Sequence, residues 1–352
     1  MIHKFWNVKL AKGGEIPPLQ LPEDASDEER EHMRHEEDQM EERQYRIWSV
    51  LSQFEETSAA CISDMLLHVS NGALMEGVLV AKKFITYVDV LFDATDRLDR
   101  IVMDSGKAGK SRSSVACWLV LILQGLSYGR EAKLLCKRVV AFFTLLTKTS
   151  DTGVKRLGVT QELLSLVTGL AHYLKLLIRI SLQGALRLER ESGESAGLNS
   201  FLDDLTHIDI LKDASPTLDD SASMTELADD QSDLCFQCQQ PIDDECLKAG
   251  NFRWHQQHMS CYQCSRIIGD ELGLQDAIFA EKDSKPFCPN CARTVVLGND
   301  VSPVEHITRL QQYVYLLQIA LARLLAVLRS SGTLPHTSGR RPRRAGRLKK
   351  VI

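Results

Sequence analysis

The chain has 352 residues, 44% of them hydrophobic, and a net charge of −5. That length gives room for two or three domains, and the apolar share is enough to bury cores. No run reaches the twenty or so unbroken apolar residues of a membrane span, and no secretory leader precedes the first element, so the expected compartment is the cytoplasm.

Pro17, Pro18 and Pro22 punctuate an irregular start, and Glu23 to Arg43 is charged with almost no apolar face to bury. Residues 1–44 therefore read as a charged, partly disordered segment. His32 and His35 within it are three apart but have no cysteine or placed carboxylate set beside them, so they read as part of a solvated face. From Tyr45 the pattern changes. Ile47, Trp48, Leu51 and Phe54 recur at helical spacing, then Ile62, Met65, Leu66 and Val69, with Asn71-Gly72 as a helix end. Trp48 and Phe54 are core-like by this spacing.

Further helices are expected over Ala73–Met103, Glu131–Lys148 and Thr160–Glu191, making 45–190 a helical bundle. Cys61, Cys117 and Cys136 stand alone in apolar helical contexts and read as small core residues. Val115–Leu123 is apolar but too short to cross a bilayer, and Leu163–Leu188 is interrupted by His172, Lys175, Arg179 and Arg187. Ser105-Gly106-Lys107-Ala108-Gly109-Lys110-Ser111 ends like a phosphate-binding loop. It has Asp104 where the first glycine belongs and a helix where a strand should precede, so it reads as a basic loop. Between Glu191 and Asp233 lie twelve acidic residues and one Lys, with Gly, Pro and many Ser, so 191–232 reads as a solvated acidic linker.

The most specific signal follows. Cys235-x2-Cys238, sixteen residues, His255-x2-His258-x2-Cys261-x2-Cys264, twenty-three residues, Cys288-x2-Cys291 is a series of ligand pairs. An x2 spacing lets two side chains of one tight turn reach one ion, and zinc takes four such donors in a tetrahedron. Two registers are available. In the first, Cys235, Cys238, His255 and His258 hold one zinc and Cys261, Cys264, Cys288 and Cys291 the other. In the second, His258 and Cys261 complete the first site, His255 is idle, and Ile267 would have to join Cys264, Cys288 and Cys291. Isoleucine cannot bind zinc, so the first register is expected, giving two closed, structural zinc sites with Cys246 outside both.

After the cluster, Ser302-Pro303-Val304-Glu305 has the form of a helix start, and an amphipathic helix over 302–330 is expected to pack on the bundle. Arg329-Ser330-Ser331-Gly332 resembles an arginine-finger loop, but its preceding residues do not match and Arg329 reads as the basic last turn of that helix. Residues 331–352 carry seven Arg or Lys between Arg340 and Lys350 and read as a disordered basic tail. Its charge alone would attract nucleic acid or anionic lipid, but a solubilising role accounts for it equally.

The cluster resembles a LIM domain over 233–297. Trp254-His255 and Ile268 fall where that family has Trp-His and a core aliphatic residue, and His258 stands where it usually has Cys. The order of parts is also similar to one larger family. Ile47-Trp48-Ser49-Val50-Leu51, then Glu55-Glu56-Thr57-Ser58-Ala59-Ala60-Cys61-Ile62-Ser63-Asp64-Met65-Leu66, the LIM module and Leu310–Arg329 together resemble the interior of fungal LIM-containing Rho GTPase-activating proteins. That resemblance implies LIM modules upstream of a catalytic GAP domain and a role in cell-wall and polarity signalling. The stretches Lys110–Gln124 and beyond Leu334 depart from the pattern, and no GAP domain follows Gly332. The sequence thus predicts a mostly α protein, a helical bundle with a small zinc-stabilised β-hairpin module. Its expected role is non-enzymatic and protein-binding, as a scaffold or regulatory part of a Rho-type GTPase pathway. The alternatives are a piece of a GTPase activator without its catalytic domain and, third, a nucleic-acid-binding zinc protein.

Overall fold

Ser26 and Glu29 form a reciprocal cap. The Ser26 hydroxyl accepts from the Glu29 amide at 3.2 Å, and the Glu29 carboxylate accepts from the Ser26 amide at 2.8 Å. This cap opens helix α1 (Asp27–Ser70) in a computed structural model that describes residues 26–108, 126–152, 157–193, 195–208, 232–269, 274–294 and 301–332. The charged run is therefore helical from Asp27, inside the segment set apart above as partly disordered, because its Glu, Arg and Gln residues are good helix formers once the first turn is capped. Cys117, residues 109–111 of the loop-like run, the apolar stretch 115–123 and the tail from 333 onward lie outside the described residues.

The chain divides into two units, Met1–Val50 and Leu51–Ile352. In the first, the helical residues are largely exposed. Trp48 is 47% exposed, its ring 6.0 Å from that of Tyr45, which corrects the core reading of this tryptophan.

In the second unit, α1 from Leu51 onward buries Phe54, Cys61, Ile62, Met65 and Val69 at three-four spacing, as expected. Gly72, at φ +73°, supplies the left-handed turn into α2 (Leu74–Ala108). The Cys61 thiol donates to the Val80 carbonyl across that turn, and burial pushes its pKa up to about 12, as expected of an inert core cysteine. Cys136 is less fully covered, yet burial pushes its thiol up to about 12 as well. Helices α3 (Gly129–Thr152) and α4 (Leu157–Ser192) pack on each other, and α4 also packs on α2, where Thr95 and Ser181 share a buried hydrogen bond of 2.9 Å.

Two elements differ from the sequence expectation. Within the expected acidic linker, α5 (Ala196–Thr206) packs on α2 and α4 and buries Leu198, Phe201, Leu202 and Leu205. The acidic average of the region concealed this apolar stripe, and Arg97 holds Asp204 at 2.7 Å where the helix meets α2. The expected helix start at Ser302-Pro303 is instead two short strands, β5 (Val301–Pro303) and β6 (Glu305–Ile307), and the last helix, α7 (Arg309–Ser330), begins seven positions later in the chain. Thr308 and Gln311 form the actual capping box, so strand pairing took the first hydroxyl-Pro-Glu signal and an equivalent signal downstream took the helix. Pro303 is tolerated because β5 is an edge strand.

The remaining strands form two antiparallel hairpins, β1 (Cys246–Ala249) with β2 (Phe252–His255) and β3 (Ile278–Ala280) with β4 (Lys285–Phe287), followed by the single turn α6 (Pro289–Ala292). The segment 301–307 adds a third strand to each. β5 pairs with β3, placing Val301 opposite Ala280, and β6 pairs with β1, placing Ile307 opposite Cys246. Val304 between them is buried in the module's core with Leu247, Trp254, Met259, Ile268 and Phe279. From there α7 runs back across α2 and α3, burying Leu310, Tyr313, Leu317, Leu321, Leu324 and Leu328. Gln161–Ser192 and Arg309–Ser330 are long and apolar enough to cross a bilayer, which the requirement for unbroken apolar residues overlooked; in this fold many of their apolar residues face other helices.

Candidate metal centre

The two halves of the β module are built alike around a tight knuckle. In the first, the Gln239 amide donates to the Cys235 carbonyl and the Cys235 amide to the Gln240 carbonyl, each at 2.8 Å; in the second, Ser265 and Arg266 repeat both bonds with Cys261. Gln239 and Ser265 both sit at φ +57°, the left-handed conformation that bends the chain so that an x2 pair converges. Each knuckle also docks on its hairpin: the Phe236 amide donates to the Arg253 carbonyl and the Tyr262 amide to the Pro286 carbonyl. The hairpin then delivers the second pair, since His255 ends β2 and Cys288 follows β4 directly. Gly269 is required where the halves meet, because a Cβ there would lie 2.5 Å from the Gln256 carbonyl oxygen.

These elements bring together Cys235, Cys238, His255 and His258 in one group and Cys261, Cys264, Cys288 and Cys291 in another, with the donor atoms of each group within 4.8 Å of one another. The edges test the fit. A zinc tetrahedron with arms of about 2.3 Å to sulfur and about 2.0 Å to nitrogen has edges near 3.8 Å for S–S, 3.5 Å for S–N and 3.3 Å for N–N. The corresponding separations are 3.7 Å for Cys264–Cys288, 3.6 Å for Cys235 to His258 Nδ1, 3.5 Å for Cys238 to His255 Nδ1 and 3.2 Å between the two Nδ1 atoms. Both groups fit a zinc ion with four protein donors, closed and structural, so the donor sets are consistent with two zinc ions.

The knuckles also prepare thiolates. Burial pushes Cys235 and Cys261 up, but backbone hydrogen bonds from Cys238 and His255 to the first, and from Cys288 and Cys264 to the second, outweigh it and hold both at about 6. Cys291 is pushed to about 12 by burial and by its own hydrogen bonds to the Cys288, Cys261 and Cys264 sulfurs, a crowding of sulfur that a dication relieves.

Ile267, the impossible ligand of the rejected register, is 45% exposed and bridges Ser260 instead. Cys246 lies outside both groups, as expected, but it belongs to a feature the sequence reading missed. Arg253 is only 8% exposed. Its guanidinium donates to Gln312 Oε1 at 2.7 Å and to Cys246 Sγ at 3.7 Å and stacks 3.5 Å over the Tyr315 ring. Gln312, completely buried, accepts also from the Cys246 thiol and donates to the Ile242 carbonyl. The only signal in the sequence was a glutamine on the apolar face of a helix.

A LIM-domain family model matches residues 235–294. Over 331 residues the chain is 37% identical to Rho-type GTPase-activating protein 1 of Schizosaccharomyces pombe, covering 93% of this chain and 27% of that protein. It is 26% identical over 338 residues to Rho-GTPase-activating protein LRG1 of Saccharomyces cerevisiae, covering 94% of this chain and 32% of the relative. Prickle-like protein 1 of Xenopus tropicalis is 36% identical over 58 residues, 16% of this chain and 6% of that protein. The chain thus spans between a quarter and a third of the length of the two fungal relatives. No solved structure matches.

Proposed function

We propose that this chain is a zinc-stabilised protein-interaction part of Rho-type GTPase signalling in a fungus, acting in the cytoplasm as a scaffold or regulatory element without catalytic residues of its own. The observation that carries the reading is the pairing of two tetrahedral donor sets inside a LIM match with similarity to GTPase-activating proteins along nearly the whole chain. Cys235, Cys238, His255 and His258 serve as ligands of one zinc, and Cys261, Cys264, Cys288 and Cys291 as ligands of the other. The zinc supplies rigidity, because a module this small cannot bury enough apolar surface to hold its shape unaided. Exposed aromatic residues on both halves, Phe236, Phe252 and the 62% exposed Tyr262, are the side chains that protein interfaces favour.

The chain's parts fit this role as a charged N-terminal segment, a helical bundle over 45–190, the LIM module over 233–297 and a helix within 302–330 returning to the bundle. Capture of a Rho-type GTPase, in its GDP-loaded or GTP-loaded form, by the purified zinc-loaded chain tests the reading. Failure to bind either form, with zinc content intact, would remove the GTPase from its direct partners.

The length of the fungal relatives favours a second reading, in which the chain is one part of a GTPase activator whose catalytic domain lies elsewhere in the protein. Sequencing the transcript distinguishes the two. A reading frame continuing into a GAP-coding region supports the second, and a stop after Ile352 supports the first.

A further inference from the structure

The buried Arg253 joins the first Cys/His group to the last helix by a short physical route. Its carbonyl receives the Phe236 amide of the Cys235 knuckle, and its backbone continues two residues on into His255. Its side chain leaves in the opposite sense, to Gln312 and Tyr315 of α7. No carboxylate takes part in the contacts described for this guanidinium; a neutral amide, a thiol and an aromatic ring hold it. Such a cation keeps its place only while every partner is in position, since removing one leaves a buried charge short of hydrogen bonds.

More contacts along the same seam tie α7 to the first half of the module. The Tyr315 hydroxyl donates to the Ser232 carbonyl at 3.1 Å, Arg309 meets Asp244 at 2.6 Å, and β6, which leads directly into α7, pairs with β1. α7 in turn packs on α2 and α3. Among the described residues, the second, all-cysteine group is tied to this seam through β5 and the shared core.

We infer that zinc at the first group and the docking of α7 are one cooperative event, with Arg253 as the coupling residue, so that occupancy of this site governs whether α7 stays seated on the bundle. The module then acts as a metal-dependent clasp on the helical unit as well as a surface for partners. The inference rests on the zinc reading above. Coupling between two sites is reciprocal: if zinc favours docking of α7, loosening α7 must weaken zinc by the same factor, and only at the first site.

Gln312→Ala tests this, because Gln312 touches Cys246, Arg253 and Ile242, none of which is in either Cys/His group. The full chain, loaded with zinc, is titrated with a chelator while released metal is counted. Wild type should give two equivalents. In Gln312→Ala one equivalent should leave at a chelator concentration about tenfold lower, and the other should be unchanged. Arg253→Met should do the same. Hydrogen exchange of the zinc-loaded Gln312→Ala chain provides a second readout: α7 peptides should exchange faster while α4 and α5 peptides, which pack on other helices, keep their protection, which shows that the bundle remains folded. Two equivalents released as in wild type would overturn the coupling while leaving the zinc reading intact. Fewer than two equivalents in wild type itself would overturn the zinc reading. Equal weakening of both sites would overturn the assignment of the coupling to the first.

Discussion

Arg323 grips Asp233 through both terminal nitrogens, Nη2 to Oδ1 at 2.6 Å and Nη1 to Oδ2 at 3.1 Å, and so fastens α7 to the residue that leads into the first knuckle. The hydrogen bonds from Arg323 hold the Asp233 carboxyl below its ordinary 3.8. A carboxyl with a depressed folded pKa contributes stability that is present above the unfolded value and lost as pH falls through the folded one. Arg323→Ala should therefore lower stability by up to about 1 kcal/mol at neutral pH, since the arginine is half-exposed. Denaturant melts of the two proteins should converge as the pH falls below 3.8 and through the lowered folded value; a difference that persists once Asp233 is protonated would show that the contact acts through packing.

Asp96 should behave in the opposite way. It is buried on α2, accepts a very short hydrogen bond from the Thr308 hydroxyl, and is pushed up to about 6, chiefly by burial. A raised folded pKa means that the folded state holds the proton longer, so the contribution to stability is fullest below 3.8 and is lost as pH rises through about 6. Asp96→Asn keeps an oxygen for Thr308 and removes the charge. It should raise stability at pH 7 by on the order of 1–2 kcal/mol and flatten the pH profile between 4 and 6. Thermal melts across that window decide; an unchanged profile would mean that another group titrates there.

The division of ligands makes a claim about one histidine. His255→Ala should cost one zinc equivalent and unfold the first half of the module, because metal and folding free energies are linked in such sites. In the rejected register the same change is silent. Zinc analysis with near-ultraviolet circular dichroism around Trp254 reads both effects, and wild-type values in both would return His255 to the role of a bystander.

Much of this architecture was legible because it rests on local periodicity and fixed spacing. The long helices follow from three-four apolar repeats, and the donor sets from x2 pairs plus the inability of Ile267 to bind metal. What escaped depends on pairing between distant segments. Val301–Ile307 becomes two strands only because β1 and β3 present edges to it, and Arg253 and Gln312 look like a surface charge and a stray polar residue until the fold brings them within 2.7 Å. The acidic average of 191–232 hid α5 for another reason: composition says nothing about where four apolar side chains fall on a helix.

Phe201 tests that last point. It is completely buried in α5, and a large-to-small change in a packed site costs the transfer of the ring and leaves a cavity. Phe201→Ala should destabilise the helical unit by about 3–5 kcal/mol. A solvated linker would tolerate the same change within about 0.5 kcal/mol, so chemical denaturation of one variant separates the two descriptions.

The last expectation concerns catalysis. An arginine finger accelerates GTP hydrolysis by about a thousandfold or more, and it does so by presenting its guanidinium rigidly beside the transferring phosphoryl group. Arg329 is the one residue here whose surroundings resemble such a finger in sequence. In the structure it occupies the last turn of α7, directly after the buried Leu328, where a cation favours the helix dipole. Arg329-Ser330 continues the helix and Ser331 caps it, so the guanidinium leaves a helix end instead of a finger loop. The purified chain should leave single-turnover GTP hydrolysis by Rho-type GTPases within about twofold of the intrinsic rate, whereas a working finger gives about a thousandfold or more. Acceleration on that larger scale, abolished by Arg329→Ala in a chain whose thermal melt matches wild type, would reassign Arg329 as a catalytic residue.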